Sequence, residues 1–311
     1  MSVYNGEPYL GEAVASILAQ SFSDFEFIII DDGSKDKSAE IIRSYNDVRI
    51  QLLQQKNYGI PASVNRGITL SKGEYIARMD ADDISDPLRL ECQVQFLDNN
   101  PDYVQVGTNA FLIDKDGLLL HSMIMPQEQD DIIREFQRGA LPFLNGSVMY
   151  RKVAASQCGY YDEKVVTGQE DWVLCTKIVR LGKMTNLPQV LYRHRLTPEG
   201  ITTMSRRIAN MKVNLNKKFL ATGVLPVEDI ARLRMLQKNI NPRKRRSLYY
   251  LGAGKVLIER DWQPARARRY IWQSIRILLW NPVGWINLVF CFLPRGWVSA
   301  WKRHRIREGL F

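Results

Sequence analysis

Short apolar runs, polar turns and helical stripes succeed one another along this chain. Phe25-Glu26-Phe27-Ile28-Ile29-Ile30 reads as a β-strand that stops at Asp31-Asp32-Gly33-Ser34, and a helical stretch follows from Ser38 to Tyr45. Asn57-Tyr58-Gly59 through Asn65-Arg66-Gly67 supplies a turn and a helix beginning. Gly73-Glu74-Tyr75-Ile76-Ala77 reads as another buried strand, entered from a turn. Further on, Val173, Leu174, Ile178, Val179 and Leu181 fall at helical spacing, and Gly182 suits the C-cap. Strand, polar turn and helix in that order is half of a βαβ unit. The pattern predicts an α/β fold with a mostly parallel, Rossmann-like sheet flanked by helices. Ligands of such sheets bind beyond the carboxyl ends of the strands, and that is where this chain gathers its acids.

Asp80 and Asp82 lie in Arg78-Met79-Asp80-Ala81-Asp82-Asp83-Ile84-Ser85, directly after the second run. If the strand continues, side chains two apart point the same way. Two adjacent carboxylates with only Arg78 for a neighbouring positive charge repel each other unless a cation sits between them. Mg2+ or Mn2+ takes oxygen ligands and bridges a carboxylate to phosphates. A plainer reading makes the acids a turn that caps the helix opened by Asp86-Pro87. Asp32 stands where a base or ribose could hydrogen-bond, and Arg66 is available to a base or phosphate. Glu170 and Asp171, in Thr167-Gly168-Gln169-Glu170-Asp171-Trp172, begin a helix. They either complement its dipole or make Asp171 a general base, ionised at neutral pH.

In this order the motifs resemble the inverting family-2 glycosyltransferases, nucleotide-sugar enzymes of the GT-A fold. The resemblance runs from Tyr4 to about Thr202. Tyr4-Asn5-Gly6-Glu7 resembles the family's opening loop, and Ser16-Ile17-Leu18-Ala19-Gln20-Ser21-Phe22 its first helix and the turn after it. Asp31-Asp32-Gly33-Ser34 is similar to the base-binding strand end, Asp80-Ala81-Asp82 to the metal-binding DxD element, and Glu170-Asp171 to the motif of the catalytic base. The resemblance implies donor contacts from Tyr4, Glu7, Asp32, Arg66 and Asp80. It implies Mg2+ or Mn2+ on Asp82 with Asp80 beside it, Asp171 as base, and acceptor contacts around Asn145, Gly146, Glu170 and Trp172. It favours a UDP-sugar donor and the hydroxyl of a saccharide or lipid-linked acceptor, as in cell-surface polysaccharide or glycolipid synthesis. Two departures stand out. Members begin with a buried apolar strand before the Tyr-Asn loop, whereas Met1-Ser2-Val3 stands here, so the first strand is expected to be lacking. Thr197 also takes the place of a histidine that reaches metal or diphosphate in related chains, and His194 is not expected to replace it.

At 311 residues and 45% hydrophobic, the chain can bury one large core and carry an appendage. Its four cysteines form no CxxC pair and no secretory leader is evident, which points to a reducing cytoplasm. Charge is uneven. From Arg206 onward there are 23 basic and 5 acidic residues, against 20 and 28 before it. We therefore expect a catalytic domain over residues 1–205 and a basic helical extension over 206–311. A helix from Asp261-Trp262-Gln263-Pro264 carries an apolar stripe of Ala267, Ile271, Ile275 and Leu278, and Val283 to Leu293 is apolar but far short of the ~20 residues that span a bilayer. With Trp285, Trp297 and Trp301 and the basic Lys302, Arg303, Arg305 and Arg307, the extension reads as a peripheral anchor on an anionic membrane surface. A helical cap on the catalytic domain explains the stripe equally well. No nucleic acid is expected, since no helix-turn-helix, RNP strand or zinc knuckle is present. A sugar-nucleotide nucleotidyltransferase lacks support, because Tyr4 to Leu10 is not a Gly-rich basic phosphate loop. A non-catalytic binding protein would need no acid at positions 82 and 171.

Overall fold

A computed structural model describes residues 1–165, 168–198, 200 and 206–307. Thr167, Thr202 and the side chains of Lys302, Arg303, Arg305 and Arg307 lie outside the described residues. In chain order the elements begin β1 (Ser2–Val3), α1 (Glu7–Leu18), β2 (Phe27–Asp31), α2 (Ser38–Arg43), β3 (Ile50–Gln54), α3 (Ile60–Leu70) and β4 (Tyr75–Ala77). There follow β5 (Ile84–Ser85), α4 (Arg89–Asn99), β6 (Tyr103–Ile113), β7 (Leu119–Met123), α5 (Gln129–Gln137), a 3-10 turn (Asn145–Ser147), β8 (Met149–Arg151) and α6 (Lys152–Gln157). Then come α7 (Glu170–Ile178), β9 (Lys183–Arg195), α8 (Arg206–Thr222) and α9 (Val227–Lys238). The last helices are α10 (Pro242–Glu259), α11 (Pro264–Ile277), α12 (Pro282–Phe290) and α13 (Arg295–Arg307).

Two units divide the chain: residues 1–111, 122–195 and 206–237, and residues 112–121, 196–205 and 238–311. The boundary read from charge at 205/206 thus differs from the one drawn by packing. The reason lies in α8, where Asn216 accepts from Gln169 and the Phe219 ring meets Trp172 edge-on at 5.8 Å, tying α8 to the start of α7.

In the first unit, β1, β2 and β3 form a parallel sheet with Ser2 opposite Ile30 and Phe27 opposite Ile50. All of β2 is buried, and α1 covers it with Leu10, Ala13, Val14 and Ile17, one face at helical spacing. Burying each of the larger of these contributes on the order of 1.5–3 kcal/mol. The second sheet runs β4-β8-β6-β9-β5 with β7 on β6, and its β4–β8, β6–β8 and β5–β9 pairs are antiparallel. In the parallel β1–β3 sheet, α1 and α2 supply the crossovers between successive strands. Of the strand expected before the Tyr-Asn loop, β1 supplies two residues. A cavity of about 670 Å³ lies beyond it, lined by Phe27, Ile28 and Ile30 of β2 and by Tyr75, Ile76 and Ala77 of β4.

The second unit packs α10, α11 and α12 around Ala253, Leu257, Ala267, Ile271, Ile275 and Phe290. A Cβ at Gly254 would lie 2.5 Å from Ile271, so the close approach of α10 and α11 requires glycine there. The stripe Ala267, Ile271 and Ile275 is thus core of this unit and is not offered to a membrane. Trp301 is likewise taken up, its ring 4.8 Å from that of Phe290. Among the described residues no helix is long and apolar enough to cross a membrane.

Candidate active site

Because β4 ends at Ala77, Asp80-Ala81-Asp82 lie in a turn beyond the strand and not on it. The shared direction expected from strand alternation is therefore replaced by a clamp from several elements. Arg89 at the start of α4 is fully buried, donates to the carbonyls of Arg78 (2.9 Å) and Gly146 (2.7 Å), and faces the Tyr192 ring at 5.3 Å. The Tyr192 hydroxyl accepts from the Asp80 amide at 3.4 Å. Gly146 closes this corner, since a Cβ there would fall 2.1 Å from the Tyr192 hydroxyl and 2.9 Å from Asp80 Oδ2. Its neighbour Asn145 opens the 3-10 turn. Asp83 is buried and faces β9, accepting from the Arg195 amide at 2.7 Å and pairing with His194 Nδ1 at 3.2 Å. Arg195 also donates to the Asp82 carbonyl at 2.8 Å and pairs with Glu12 of α1.

Charge in this turn is crowded. Burial and the neighbouring Asp83 and Asp80 carboxylates push the Asp82 carboxyl up to about 7. Burial opposes a charge on His194, but Asp83, Asp82 and Asp80 overrule it and raise its pKa to about 9. His194 thus offers the three carboxylates a counter-charge. Arg78 is buried too, yet Tyr161, Asp80 and Asp171 hold its charge firmly, and its guanidinium lies 3.5 Å from Asp80. No group of three His, Cys, Asp or Glu side chains among the described residues is arranged to hold a cation alone. Mg2+ usually takes one or two carboxylates and completes its shell with substrate phosphates and water. Asp82 and Asp80, oxygen donors crowded by a third acid, fit such a partial site.

Glu170 and Asp171 open α7, and both project a buried oxygen, Glu170 Oε2 and Asp171 Oδ1, that finds no partner among the described residues. Unpaired buried carboxylate oxygens are costly and point to a group yet to arrive. Burial and then Glu170 raise the Asp171 carboxyl well above its ordinary range, against the pull of Arg78 and Lys212. Asp171 therefore holds its proton more tightly than a free aspartate does. Lys212 of α8 donates to the Gly168 carbonyl at 3.2 Å, and burial brings its own pKa down to about 8. Arg78 senses both Asp80 and Asp171, so the DxD turn and the α7 acids share one electrostatic site. Trp172 does not face it. That indole is buried, donates to the Ala140 carbonyl at 3.0 Å and packs on Phe136 and Phe219, which removes it from the acceptor set.

The upstream residues form a second group. Asp32 is buried and already accepts from Gln55 (2.7 Å) and the amides of Tyr58 (3.0 Å) and Gly59 (2.8 Å). It fixes the turn into α3, where Gly59 takes φ +92°, and a carboxylate has about four acceptor positions, so little of it is left for a base. Arg66 donates to Gln55 at 2.8 Å, which places it beside Asp32. Tyr4 is exposed, Asn5 and Glu7 accept from the amides of Lys35 and Lys37, and a Cβ at Gly6 would touch Ala81 at 3.7 Å. The opening loop thus lies against the DxD turn. Sequence reasoning missed Arg89, Tyr192, Arg195 and Lys212. Arg89 and Gln93, spaced four apart on the face that also buries Leu97, were the one visible signal.

The structure places the chain among GT-A glycosyltransferase folds. S. aureus TarS 1–349 in complex with UDP-GlcNAc superposes with a TM-score of 0.58 at 15% identity, covering 100% of this chain and 91% of that one. The mannosyltransferase PcManGT from Pyrobaculum calidifontis, in complex with GDP-Man and Mn2+, gives a TM-score of 0.54 at 16% identity over 95% and 85% of the two chains. Residues 1–159 match the glycosyl transferase family 2 model, and the chain belongs to that family. It is 36% identical over 201 residues to a Bacillus subtilis protein named as a glycosyltransferase, EpsE, covering 63% of this chain and 71% of that one. The uncharacterized glycosyltransferase MJ1057 of Methanocaldococcus jannaschii is 32% identical over 203 residues, 63% and 69% of the respective chains.

Proposed function

We propose that this transferase moves a sugar, with inversion, from a nucleoside diphosphate sugar to a hydroxyl of a saccharide or lipid-linked acceptor. The observation that carries the reading is the shared field of two acidic elements. Arg78 feels the charge of both Asp80 of the DxD turn and Asp171 of α7, and Asp171 Oδ1 has no partner among the described residues. Asp82 with Asp80 would hold Mg2+ or Mn2+, which when bound neutralises charge that develops on the leaving diphosphate. Asp171 takes the acceptor proton as the hydroxyl attacks the anomeric carbon. Its raised proton affinity makes it a stronger base once it has shed its own proton, and Arg78 and Lys212 favour that ionised form. Arg66 and the turn fixed by Asp32 would meet the nucleoside, and Tyr4 and Glu7 of the opening loop lie beside the same corner. UDP is the favoured nucleotide, since TarS is seen with UDP and with UDP-GlcNAc. PcManGT, seen with GDP-Man and Mn2+, makes the guanosine donor the comparison to run. Asn145, Gly146 and Glu170 are the acceptor-side candidates.

Thermal stabilisation by a panel of nucleotide sugars, with and without Mn2+, tests this reading directly. Stabilisation by a UDP-sugar that needs Mn2+ is the expected result, and a panel without any Mn2+-dependent shift would contradict it. The same assay has a pH signature. A cation must displace the Asp82 proton, so Mn2+-dependent binding should weaken as pH falls below about 7, by up to ten-fold per unit, and level off above it. A flat profile between pH 5 and pH 7, on the order of two units wide, would show that Asp82 does not meet the cation.

A further inference from the structure

We infer that the outer surface of α11 and α12 is a docking face for an anionic lipid bilayer, which goes beyond the sugar-transfer reading and stands on different residues. The clearest sign is the orientation of α12. Its sequence, Pro282-Val283-Gly284-Trp285-Ile286-Asn287-Leu288-Val289-Phe290, has one polar side chain, and that one, Asn287, is buried with Gly284 and Phe290. Val283, Trp285, Ile286 and Val289 face outward. A helix that is apolar all round belongs in an apolar medium on both sides, yet only the inner side of α12 meets the unit's core. The apolar surface continues into neighbouring segments. Trp285 meets Trp272 of α11 edge-on at 6.2 Å and donates to the Leu279 carbonyl at 2.8 Å. Next to Leu279, Trp280 is 97% exposed.

Charge identifies the occupant. On α11, Trp272 lies between exposed Arg269 and Arg276, three residues before it and four after it, on one face of the helix. Arg268 stacks over Phe292 at 4.9 Å, just past α12. From Trp262 to Arg307 the sequence has nine arginines and lysines and no aspartate or glutamate. Tryptophan settles at headgroup depth, basic residues beside it are drawn to anionic lipids, and a short helix apolar on its outer side lies in the interface plane. The surface that meets lipid is not the Ala267–Ile271–Ile275 stripe, which fills the core, but the opposite side of the same helices.

Co-sedimentation of the full chain with vesicles tests the assignment. Binding is expected to be stronger to phosphatidylcholine mixed with phosphatidylglycerol than to phosphatidylcholine alone, and high salt should release the protein only in part. Leu279→Ser with Trp280→Ser should lower partitioning by about ten-fold or more, with unchanged circular dichroism because both side chains are exposed. Arg269→Gln with Arg276→Gln should instead remove much of the salt-sensitive part. Several results would overturn the inference: protein left in the supernatant at low salt, equal binding to the two lipid mixtures, or a serine variant that partitions like wild type. So would a vesicle-free sedimentation profile in which Trp280 is needed for self-association, since that makes the occupant a second copy.

Discussion

Asp171→Asn should lower the transfer rate at saturating donor by about two orders of magnitude or more, the usual scale for loss of a positioned general base. Donor and Mn2+ binding should stay near wild type, because asparagine keeps the shape of the side chain at the start of α7 and the residue is not among the proposed cation ligands. Stability gives an independent readout. Burial and Glu170 raise the Asp171 carboxyl from its ordinary 3.8 in the folded state. The folded protein then holds that proton more tightly than the unfolded chain, so wild-type stability falls as pH rises above about 4 toward the raised value. Asparagine has no proton to lose and escapes this decline. A plot of Tm against pH should show the variant gaining on wild type as pH rises. If the variant instead loses donor affinity as much as rate, Asp171 is a structural acid at a helix start and the base lies elsewhere.

Asp82→Asn should all but abolish turnover and weaken Mn2+-dependent donor binding by roughly a hundred-fold or more, since an amide oxygen is a poor substitute for a carboxylate toward a hard cation. The effect is expected to be specific in form. Binding of nucleotide without metal should change little, and the pH dependence below about 7 should vanish with the carboxyl that causes it. Relief of repulsion is a second consequence, because Asp82, Asp83 and Asp80 crowd one another. The variant should therefore be no less stable than wild type by thermal melting. Retention of wild-type rate and Mn2+ response in Asp82→Asn would remove the DxD assignment.

The acids themselves were legible in the sequence because they are local: each follows a strand or opens a helix within a few residues. What surrounds them was not. Arg89 reaches the DxD turn from 11 residues away, but Tyr192 and Arg195 do so from 112 and 113, and periodicity carries no record of such pairings. Trp172 was misassigned because it adjoins Asp171 in the chain, whereas successive residues on a helix point roughly 100° apart. The indole consequently enters the Phe136–Phe219 cluster. Asp32 was placed correctly at the end of β2, but its lone pairs are spent on Gln55, Tyr58 and Gly59, which only the folded turn reveals. In the basic extension, the apolar stripe of α11 was visible, yet the sequence did not separate the face that fills the core from the face that meets solvent.

Release of free nucleoside diphosphate from a nucleotide sugar bears most directly on the central claim, that the DxD turn and Asp171 form one sugar-transfer site. Wild-type protein should release UDP from a UDP-sugar in the presence of Mn2+, at a rate that falls to background with a chelator and in both the Asp82→Asn and Asp171→Asn variants. Donor binding should survive in the second variant and not in the first. Release that ignores the chelator, or that persists at the wild-type rate in either variant, would contradict the account.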